Sequence, residues 1–524
     1  MSRGTSVETF RAEDLAVVVP TFDRWPMLRR CMDALASQSV TGFEVVVAVD
    51  GDDAPVPDDL DATVVVRPHG GPAAARNAGV SATSRPLILF LGDDVFLAPE
   101  AIAAHLDRHN REPSDEVAVL GRVDWHPEVE REPINRWLDW SGSQFDFHAI
   151  EADPASDLGF GRFFTSNVSL KRALFDAAGG FDEEFPYAAY EDIELGWRLA
   201  EKGMVLRYEP AASAVHLHRY DWPSLVRRFQ AVARSERMML RKHPWFEPFF
   251  YKRFAWLRDA PPMSPLWTRA VERVPARLAR VQALFRERAD RSYCQQLAGP
   301  FLDAWEGERG LEELREYLGD AYDERRLFNH ASEVDEEESA APSEAAFYRT
   351  SEAYLYDLTV FAMSGTKAPY RSLIRRLVPP PARVLDYGCG IGSDGLILAE
   401  DGYEVAFADF DNPSTRFLRW RLGRRGIEAP VYDLDAVGEG GVPGGFDIAF
   451  AFDVIEHVDD PFAFLAELER RASLVVVNFL EPDPADTHLH RALPVESLVS
   501  HARARGLAHY EVLHGRSHLV AYRP

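Results

Sequence analysis

The chain has 524 residues, of which 46% are apolar and 27% are charged, and this composition excludes a disordered or fibrous protein. The length predicts about three domains. A formal net charge of −26 excludes nucleic-acid binding by bulk electrostatics, because neutralising phosphates requires a dense basic face. Three scattered cysteines, no secretory signal and no bilayer-length apolar run predict a soluble, cytoplasmic protein.

Short β-branched runs alternate with amphipathic stretches over the first 220 residues. The predicted strands are 16–19, 44–49, 63–66 and 87–91, and the predicted helices are 27–37, 72–82 and 101–109. This alternation is typical of a parallel sheet that binds its ligand at the carboxyl ends of its strands.

Acidic or polar clusters follow the predicted strands of this half. They are Pro-Thr-Phe-Asp at 20–23, Asp-Gly-Asp-Asp at 50–53, Gly-Asp-Asp at 92–94 and Tyr-Glu-Asp at 190–192. Any one of them is commonly a turn, but together they predict a ligand-binding edge. Asp93 and Asp94 end an apolar strand, and carboxylates there suit a divalent cation, Mn²⁺ or Mg²⁺, that bridges to a diphosphate.

In this order the clusters resemble glycosyltransferase family 2 with the GT-A fold, over residues 14–220. Further matching segments are Ala-Arg-Asn-Ala-Gly at 75–79, Thr-Ser-Asn-Val-Ser at 165–169 and Gly-Gly-Phe-Asp at 179–182. The resemblance implies inverting transfer of a sugar from a nucleotide-sugar donor to a glycan, lipid-linked or small-molecule hydroxyl acceptor. It implies that Asp192 is the general base, with Glu191 beside it. The implied donor-binding residues are Pro20, Thr21, Asp23, Asp50, Arg76, Asp93 and Asn167, and the implied metal ligands are Asp94, Asp93 and His216, with His218 as the alternative to His216.

Two points stay open in this half. The family's metal motif usually has an aspartate where this chain has Gly92, so the coordination of the metal is open. Glu191 and Asp192 could also serve only to favour the N-terminus of a helix through its dipole.

The middle of the chain is segregated by charge. Residues 219–291 carry 17 basic against 7 acidic side chains, whereas residues 306–344 carry 4 basic against 14 acidic ones. We predict a helical extension whose arginines pair with the acidic segment, and a solvated linker at 332–345. The alternative is that the basic, aromatic segment 221–291 makes a peripheral contact with the inner face of the membrane.

A second strand–helix alternation follows. Its predicted strands are 383–387, 404–408, 446–450 and 474–478, with a closing antiparallel pair at 509–513 and 518–522. Gly388, Gly390 and Gly392 form a glycine-rich turn after the first of these strands, where backbone can approach a ligand closely. Asp409 and Asp433 end later strands, where they are placed to meet a ribose and an adenine amine respectively.

This half resembles the class I methyltransferases that use S-adenosylmethionine. Besides the glycine turn, the run FDIAFAFDVIEHV at 446–458 carries the resemblance and disfavours the rival, a Rossmann dehydrogenase. The resemblance implies that Asp386 faces the methionine amine, that the three glycines line the cofactor and that Asp409 binds the ribose. His457 is a candidate base with Glu456 orienting it, and the equal alternative is a helix start without proton transfer. His488 and His490 are weaker candidates.

Together these patterns predict an α/β protein with two doubly wound, Rossmann-like domains joined by a helical segment. The predicted domains are 14–220, 221–345 and 346–524. The predicted function is bifunctional: sugar transfer, and S-adenosylmethionine-dependent O-methylation of the sugar or glycan. The alternatives are an active glycosyltransferase with a degenerate methyltransferase-like scaffold, and a carbohydrate-binding first domain with an active methyltransferase.

Overall fold

The computed structural model describes residues 9–51, 56–57, 59–152, 157–257, 266, 279–436, 441–481 and 490–524. The chain forms two compact units, residues 1–302 and 303–524. The middle segment 221–345 is therefore divided between the two units. Asp52, Asp53 and His488, which the sequence patterns included, lie outside the described residues.

The described strands of the first unit form one sheet. They are β1 (Leu15–Thr21), β2 (Glu44–Asp50), β3 (Thr63–Arg67), β4 (Leu87–Leu91), β5 (Val95–Leu97), β6 (Val117–Trp125), β7 (Asn167–Lys171) and β8 (Val205–His216). Their order in the sheet is β3-β2-β1-β4-β7-β6-β8-β5. Strands β1 to β4 pair in parallel, as the sequence predicts, so their carboxyl ends reach the same edge. Strand β7 is antiparallel to β4.

Helices cover this sheet and extend it. They are α1 (Trp25–Ala36), α2 (Pro72–Ser81), α3 (Ala101–Arg111), α4 (Pro133–Trp140), α5 (Phe147–Ala152), α6 (Arg172–Ala178), α7 (Glu191–Glu201), α8 (Trp222–Lys242) and α9 (Phe249–Ala255). The central strands β1 and β4 are almost wholly buried, which explains why both are continuous apolar runs in the sequence. A long helix, α10 (Ala279–Leu318), carries the chain from the first unit into the second.

The second unit contains a second sheet. Its described strands are β9 (Arg383–Tyr387), β10 (Glu404–Asp409), β11 (Val431–Asp433), β12 (Ile448–Ala451), β13 (Val475–Leu480), β14 (Leu507–Leu513) and β15 (Ser517–Tyr522). They are ordered β11-β10-β9-β12-β13-β15-β14. The first five are parallel, and β15 pairs antiparallel with both β13 and β14, as predicted for the closing pair.

Helices precede this sheet and alternate with its strands. They are α11 (Glu324–Phe328), α12 (His330–Ala340), α13 (Glu344–Thr350), α14 (Ala353–Met363), α15 (Ala368–Leu377), α16 (Ser393–Glu400), α17 (Pro413–Arg425), α18 (Pro461–Glu469) and α19 (Val495–Arg505). Neighbouring residues of a strand point to opposite faces of the sheet, so Val384 packs into one apolar cluster and Leu385 into another. The predicted fold class, two α/β domains joined by a helical segment, is confirmed. None of the described helices has both the length and the apolar character needed to cross a bilayer.

The charged middle segment differs from its prediction in two respects. Residues 332–340 of the predicted solvated linker belong to helix α12, because Val334 is buried in a small cluster with Phe347 and Ala353. The acidic segment pairs with arginines of α17: both Arg421 and Arg425 donate to Glu313 at 2.7 Å. Those arginines lie four residues apart, so a single helical face presents both to the carboxylate.

Candidate active sites

A cavity of about 940 Å³ opens at the carboxyl edge of the first sheet. Most of the residues that the sequence nominated for sugar transfer line it, and they come from four strand ends and two helix starts. They are Pro20, Thr21, Asp50, Arg76, Asp93, Asp94, Glu191, Asp192 and His216. A volume of this size is typical of small-molecule sites in proteins.

Asp94 lies at the centre of a potential metal site in this cavity. His216 pairs in register with Val95, which brings its Nε2 atom to 3.3 Å from Asp94 Oδ2, and His218 Nδ1 lies 3.1 Å from the same oxygen. One ligand atom from each of the three residues lies within 4.8 Å of the others. Burial raises the pKa of Asp94, but His216 and His218 outweigh it and hold that pKa well below its ordinary value. The two histidines that the sequence offered as alternatives therefore converge on one carboxylate.

Asp93 lies beside this cluster and is bound to residues at the end of β1. Thr21 Oγ1 donates to Asp93 Oδ2 at 2.8 Å. Arg24 Nη2 lies 3.1 Å from Asp93 Oδ1 and 2.6 Å from Asp94 Oδ2, so one guanidinium joins both carboxylates. Burial and the neighbouring charge of Asp94 raise the pKa of Asp93 to about 6. Two imidazoles and a carboxylate form a donor set that suits a divalent transition metal, and the carboxylate in particular suits Mn²⁺.

Asp192 faces the cavity from the first turn of α7. Burial first, and the charge of Glu191 second, raise the pKa of Asp192 to about 7, while Arg76 opposes them. Arg76 Nη1 donates to Glu191 Oε1 at 2.8 Å, and both side chains are buried. The dipole of α7 and a hydrogen bond from the Ile193 N–H to Asp192 Oδ1 at 2.9 Å favour a carboxylate here. A carboxyl group that titrates near neutral pH is suited to accept a proton.

The start of α7 is held by the helices that follow the sheet. Tyr190, in the left-handed region at φ 65°, donates from its hydroxyl to Glu236 Oε1 at 2.7 Å. Glu236 is fully buried in α8 and also accepts from the backbone N–H groups of Phe250 and Tyr251, each at 2.8 Å. Thus α8 and α9 fix the residue that precedes Glu191 and Asp192.

Three predicted donor-binding residues have other surroundings. Asp50 lies in the cavity wall, but its oxygens accept from Arg67, Gly70 and Gly71 at 2.7–2.9 Å and so hold the loop before α2. Asp23 is exposed, because its left-handed backbone (φ 47°) turns the chain after β1. Asn167 is fully buried in β7 and donates to the Ala212 carbonyl at 2.8 Å. The structure does not bring Asp23 and Asn167 to the cavity.

The glycine-rich turn of the second unit follows β9. Gly390 donates its N–H to Asp409 Oδ2 at 2.7 Å, which joins the turn to the end of β10. Gly388 and Gly392 both have positive φ, and a Cβ on Gly392 would overlap Leu418. The turn therefore requires glycines, and it leaves Gly388 and Gly390 only partly buried, where a ligand can approach the backbone closely.

Carboxylates lie at or near the carboxyl ends of β9, β10 and β11. Burial raises the pKa of Asp409 to about 6. The N–H groups of Gly390 and Phe410 donate to its carboxylate and act in the opposite direction. Burial and the charge of Asp394 raise the pKa of Asp386 well above its ordinary value. Asp433 pairs in register with Asp409. The residues nominated for an S-adenosylmethionine site thus lie on three adjacent strand ends, where that cofactor's amine, ribose and adenine would find acceptors.

His457 and Glu456 lie in a short 3₁₀ turn, Ile455–His457, beyond β12. His457 Nδ1 lies 2.9 Å from the Tyr348 hydroxyl of α13, and Glu456 is buried. The sequence did not nominate Tyr348, nor did it nominate Arg24 or Glu236 in the first unit. No motif marks these residues, because only the folded chain brings them next to the nominated ones.

Comparison with known proteins divides the chain in the same way. Residues 16–167 match the family Glycosyl transferase family 2, and residues 364–516 match a Methyltransferase domain family. The chain is 30% identical over 239 residues to a pre-mycofactocin glycosyltransferase of Mycobacterium tuberculosis, covering 44% of this chain and 48% of the relative. It is 33% identical over 220 residues to a validoxylamine A glucosyltransferase of Streptomyces hygroscopicus, covering 36% and 52%. The chain thus spans about half the length of these curated relatives.

The second unit has separate relatives. A ubiquinone biosynthesis O-methyltransferase of Xanthomonas campestris is 28% identical over 155 residues, covering 28% of this chain and 62% of the relative.

Among solved structures, a mannosyltransferase from Pyrobaculum calidifontis in complex with GDP-Man and Mn²⁺ matches 56% of this chain and 86% of its own, at 17% identity and a TM-score of 0.36. The chain therefore joins a segment that matches glycosyltransferase family 2 to a later segment that matches a methyltransferase domain.

Proposed function

We propose that the chain is a bifunctional enzyme, with sugar transfer in its first unit and methyl transfer in its second. The observation that carries the first activity is the cavity lined by Asp192 and by Asp94 with its two histidines. A base for the acceptor and a cation site for the departing diphosphate are what glycosyl transfer requires on opposite sides of a donor. The glucosyltransferase relative supports a hexose as the transferred sugar.

In the proposed reaction Asp192 accepts the proton of the acceptor hydroxyl. The hydroxyl oxygen forms a bond to the anomeric carbon while the bond from that carbon to the diphosphate breaks, so the configuration inverts. Asp94, His216 and His218 would hold a divalent cation, which neutralises charge on the nucleoside diphosphate when bound. Burial and the charge of Glu191 keep Asp192 partly protonated near neutral pH, whereas Arg76, which is paired with Glu191, favours the ionised form.

For the second activity we propose S-adenosylmethionine as the methyl donor and a hydroxyl of a sugar or glycan as the acceptor. Asp409 would accept from the ribose hydroxyls, Asp386 would face the methionine amine, and the cofactor supplies an electrophilic methyl group. The contact of Gly390 with Asp409 supports this arrangement. The O-methyltransferase relative supports oxygen as the methylated atom. Fusion would keep the product of one site near the other, as linked modules do. We also propose that the enzyme acts in the cytoplasm.

Paired variants of the full chain test the two activities separately. Asp192→Asn should abolish Mn²⁺-dependent nucleotide release from a panel of nucleotide sugars and leave S-adenosylmethionine binding unchanged. Asp409→Ala should do the reverse. Asp176→Asn and Asp320→Asn, which alter exposed carboxylates in each unit, are the matched controls. Wild-type nucleotide release by Asp192→Asn would refute Asp192 as the base. No nucleotide release by the unaltered chain would favour a carbohydrate-binding first domain, and no cofactor binding by the unaltered chain would favour a scaffold in the second.

A further inference from the structure

A second group of metal-ligating side chains lies in the methyltransferase unit. Glu456, His457 and His490 each offer one ligand atom, and the three atoms lie within 4.8 Å of one another. Glu456 is only 1% exposed, whereas both histidines are partly exposed. Two neutral imidazoles and one buried carboxylate form a donor set that binds divalent transition metals and leaves further coordination positions open.

The three side chains are held in place by the surrounding backbone and by a tyrosine. The Arg491 N–H donates to the Glu456 carbonyl at 2.9 Å, which fixes His490 beside the turn that carries Glu456 and His457. The rings of His457 and His490 have their centroids 4.9 Å apart. His457 Nδ1 lies 2.9 Å from the Tyr348 hydroxyl, and a hydrogen bond to the second ring nitrogen is how proteins orient a ligating histidine.

The group adjoins the proposed cofactor turn. Val454, which immediately precedes the 3₁₀ turn, packs so closely on Gly388 that a Cβ there would lie 2.7 Å from Val454 Cγ2. Strand β12, which leads into this turn, pairs in parallel with β9, so both strands end at the same edge of the sheet. An atom bound by Glu456, His457 and His490 would therefore lie at the edge where a methyl group is to be delivered.

We propose that Glu456, His457 and His490 form a divalent transition-metal site that binds the methyl acceptor through its oxygen. Metal binding itself does not depend on the activity, but its use rests on the proposed O-methylation. The cation lowers the pKa of the acceptor hydroxyl, whose proton leaves to water. The oxygen then forms a bond to the methyl carbon of the sulfonium donor as the sulfur–carbon bond breaks, and a neutral thioether remains. His457 acts here as a ligand and not as the base that the sequence suggested.

Metal content of the full chain tests the site. The chain is stripped with chelator, equilibrated with Mn²⁺ and desalted, and bound metal is counted by mass spectrometry. We expect His490→Ala to retain about one equivalent less than the unaltered chain. His509→Ala, which removes a histidine of β14 paired with Glu511, should retain the full amount. Equal metal content in His490→Ala and the unaltered chain would overturn the proposal.

A gain-of-signal variant covers the case in which His490→Ala does not fold. His490→Cys keeps a ligand at this position and replaces imidazole with thiolate. Loaded with Co²⁺, it should show a thiolate-to-cobalt charge-transfer absorption that the unaltered chain lacks, and absence of that absorption would refute the site. Calorimetry with S-adenosylmethionine tests the proposed methylation independently of the metal site. Metal bound without cofactor binding would refute the proposed methylation alone, and cofactor bound without metal would refute this site alone.

Discussion

Replacing Glu191 with glutamine should move the acid side of the sugar-transfer pH profile to lower pH. The charge of Glu191 is the second cause, after burial, of the raised pKa of Asp192. Glutamine removes that charge, and it also takes the carboxylate partner from Arg76, which now lies 2.8 Å from Glu191 Oε1. The positive charge of Arg76 then acts on Asp192 without compensation. Both changes favour the ionised carboxylate, so both lower the pKa of Asp192.

The size of the effect follows from the pKa of about 7 for Asp192. Roughly one molecule in ten has the base ionised at pH 6, and about one in a hundred at pH 5. The kcat/KM of the unaltered chain should therefore fall about tenfold for each pH unit below 7. In Glu191→Gln the ratio of kcat/KM at pH 6 to that at pH 8 should rise about two- to tenfold, the upper limit being full ionisation.

The assay is the initial rate of nucleoside diphosphate release with Mn²⁺ at subsaturating nucleotide sugar, from pH 5 to pH 9. Glu201→Gln, an exposed substitution in the last turn of the same helix, is the control and should leave the profile unchanged. An acid limb that stays in place, or moves to higher pH, in Glu191→Gln would refute the assignment of that limb to Asp192.

Three further predictions concern stability and metal binding. His216→Ala combined with His218→Ala should weaken Mn²⁺ binding at least tenfold, measured by the Mn²⁺ electron paramagnetic resonance signal, because only Asp94 remains of the three ligands. Glu313→Ala should lower the free energy of unfolding by about 3 kcal/mol, since it leaves the buried Arg421 unpaired, whereas Glu316→Ala, whose partner Arg424 is exposed, should cost about 0.5 kcal/mol or less in urea unfolding. Gly392→Ala should cost about 1–3 kcal/mol because of its positive φ and the contact with Leu418, whereas Gly423→Ala, in open space on α17, should be neutral or stabilising by calorimetry.

The parallel strands were predictable because they are buried on both faces and therefore appear in the sequence as continuous apolar runs. Strands β1, β4 and β9 have the predicted positions within a few residues. Strands β6 and β7 were not predicted, because neither is a continuous apolar run: Gly121 and Arg122 interrupt β6, and every second residue of β7 is polar although buried. Helix α12 was missed for a related reason. Its composition is polar, and one buried residue, Val334, anchors it to the helices that follow.

The sequence predicted which residues belong to the first site better than it predicted the direction in which their side chains point. Asp94, Asp192 and His216 line one cavity because each lies near the end of a strand or the start of a helix at the same sheet edge. Asp23 follows a strand as well, yet a single left-handed residue conformation turns it to solvent. Asn167 belongs to the motif but is fully buried in β7, where its amide donates to the Ala212 carbonyl. Sequence position alone does not carry such orientation.

The guanidinium of Arg24, bound to both Asp93 and Asp94, would couple the binding of the proposed cation to that of the proposed donor. In the proposed reaction, a cation arriving at Asp94 would compete with this tethered positive charge, and the displaced guanidinium would become available to an anionic diphosphate in the same cavity. Each ligand would therefore increase the affinity for the other by the same factor. Arg24→Gln should strengthen the binding of Mn²⁺ alone and reduce its enhancement by a nucleoside diphosphate, which titration calorimetry with each ligand in turn would measure. The enzyme would thus retain its metal chiefly while it holds a donor.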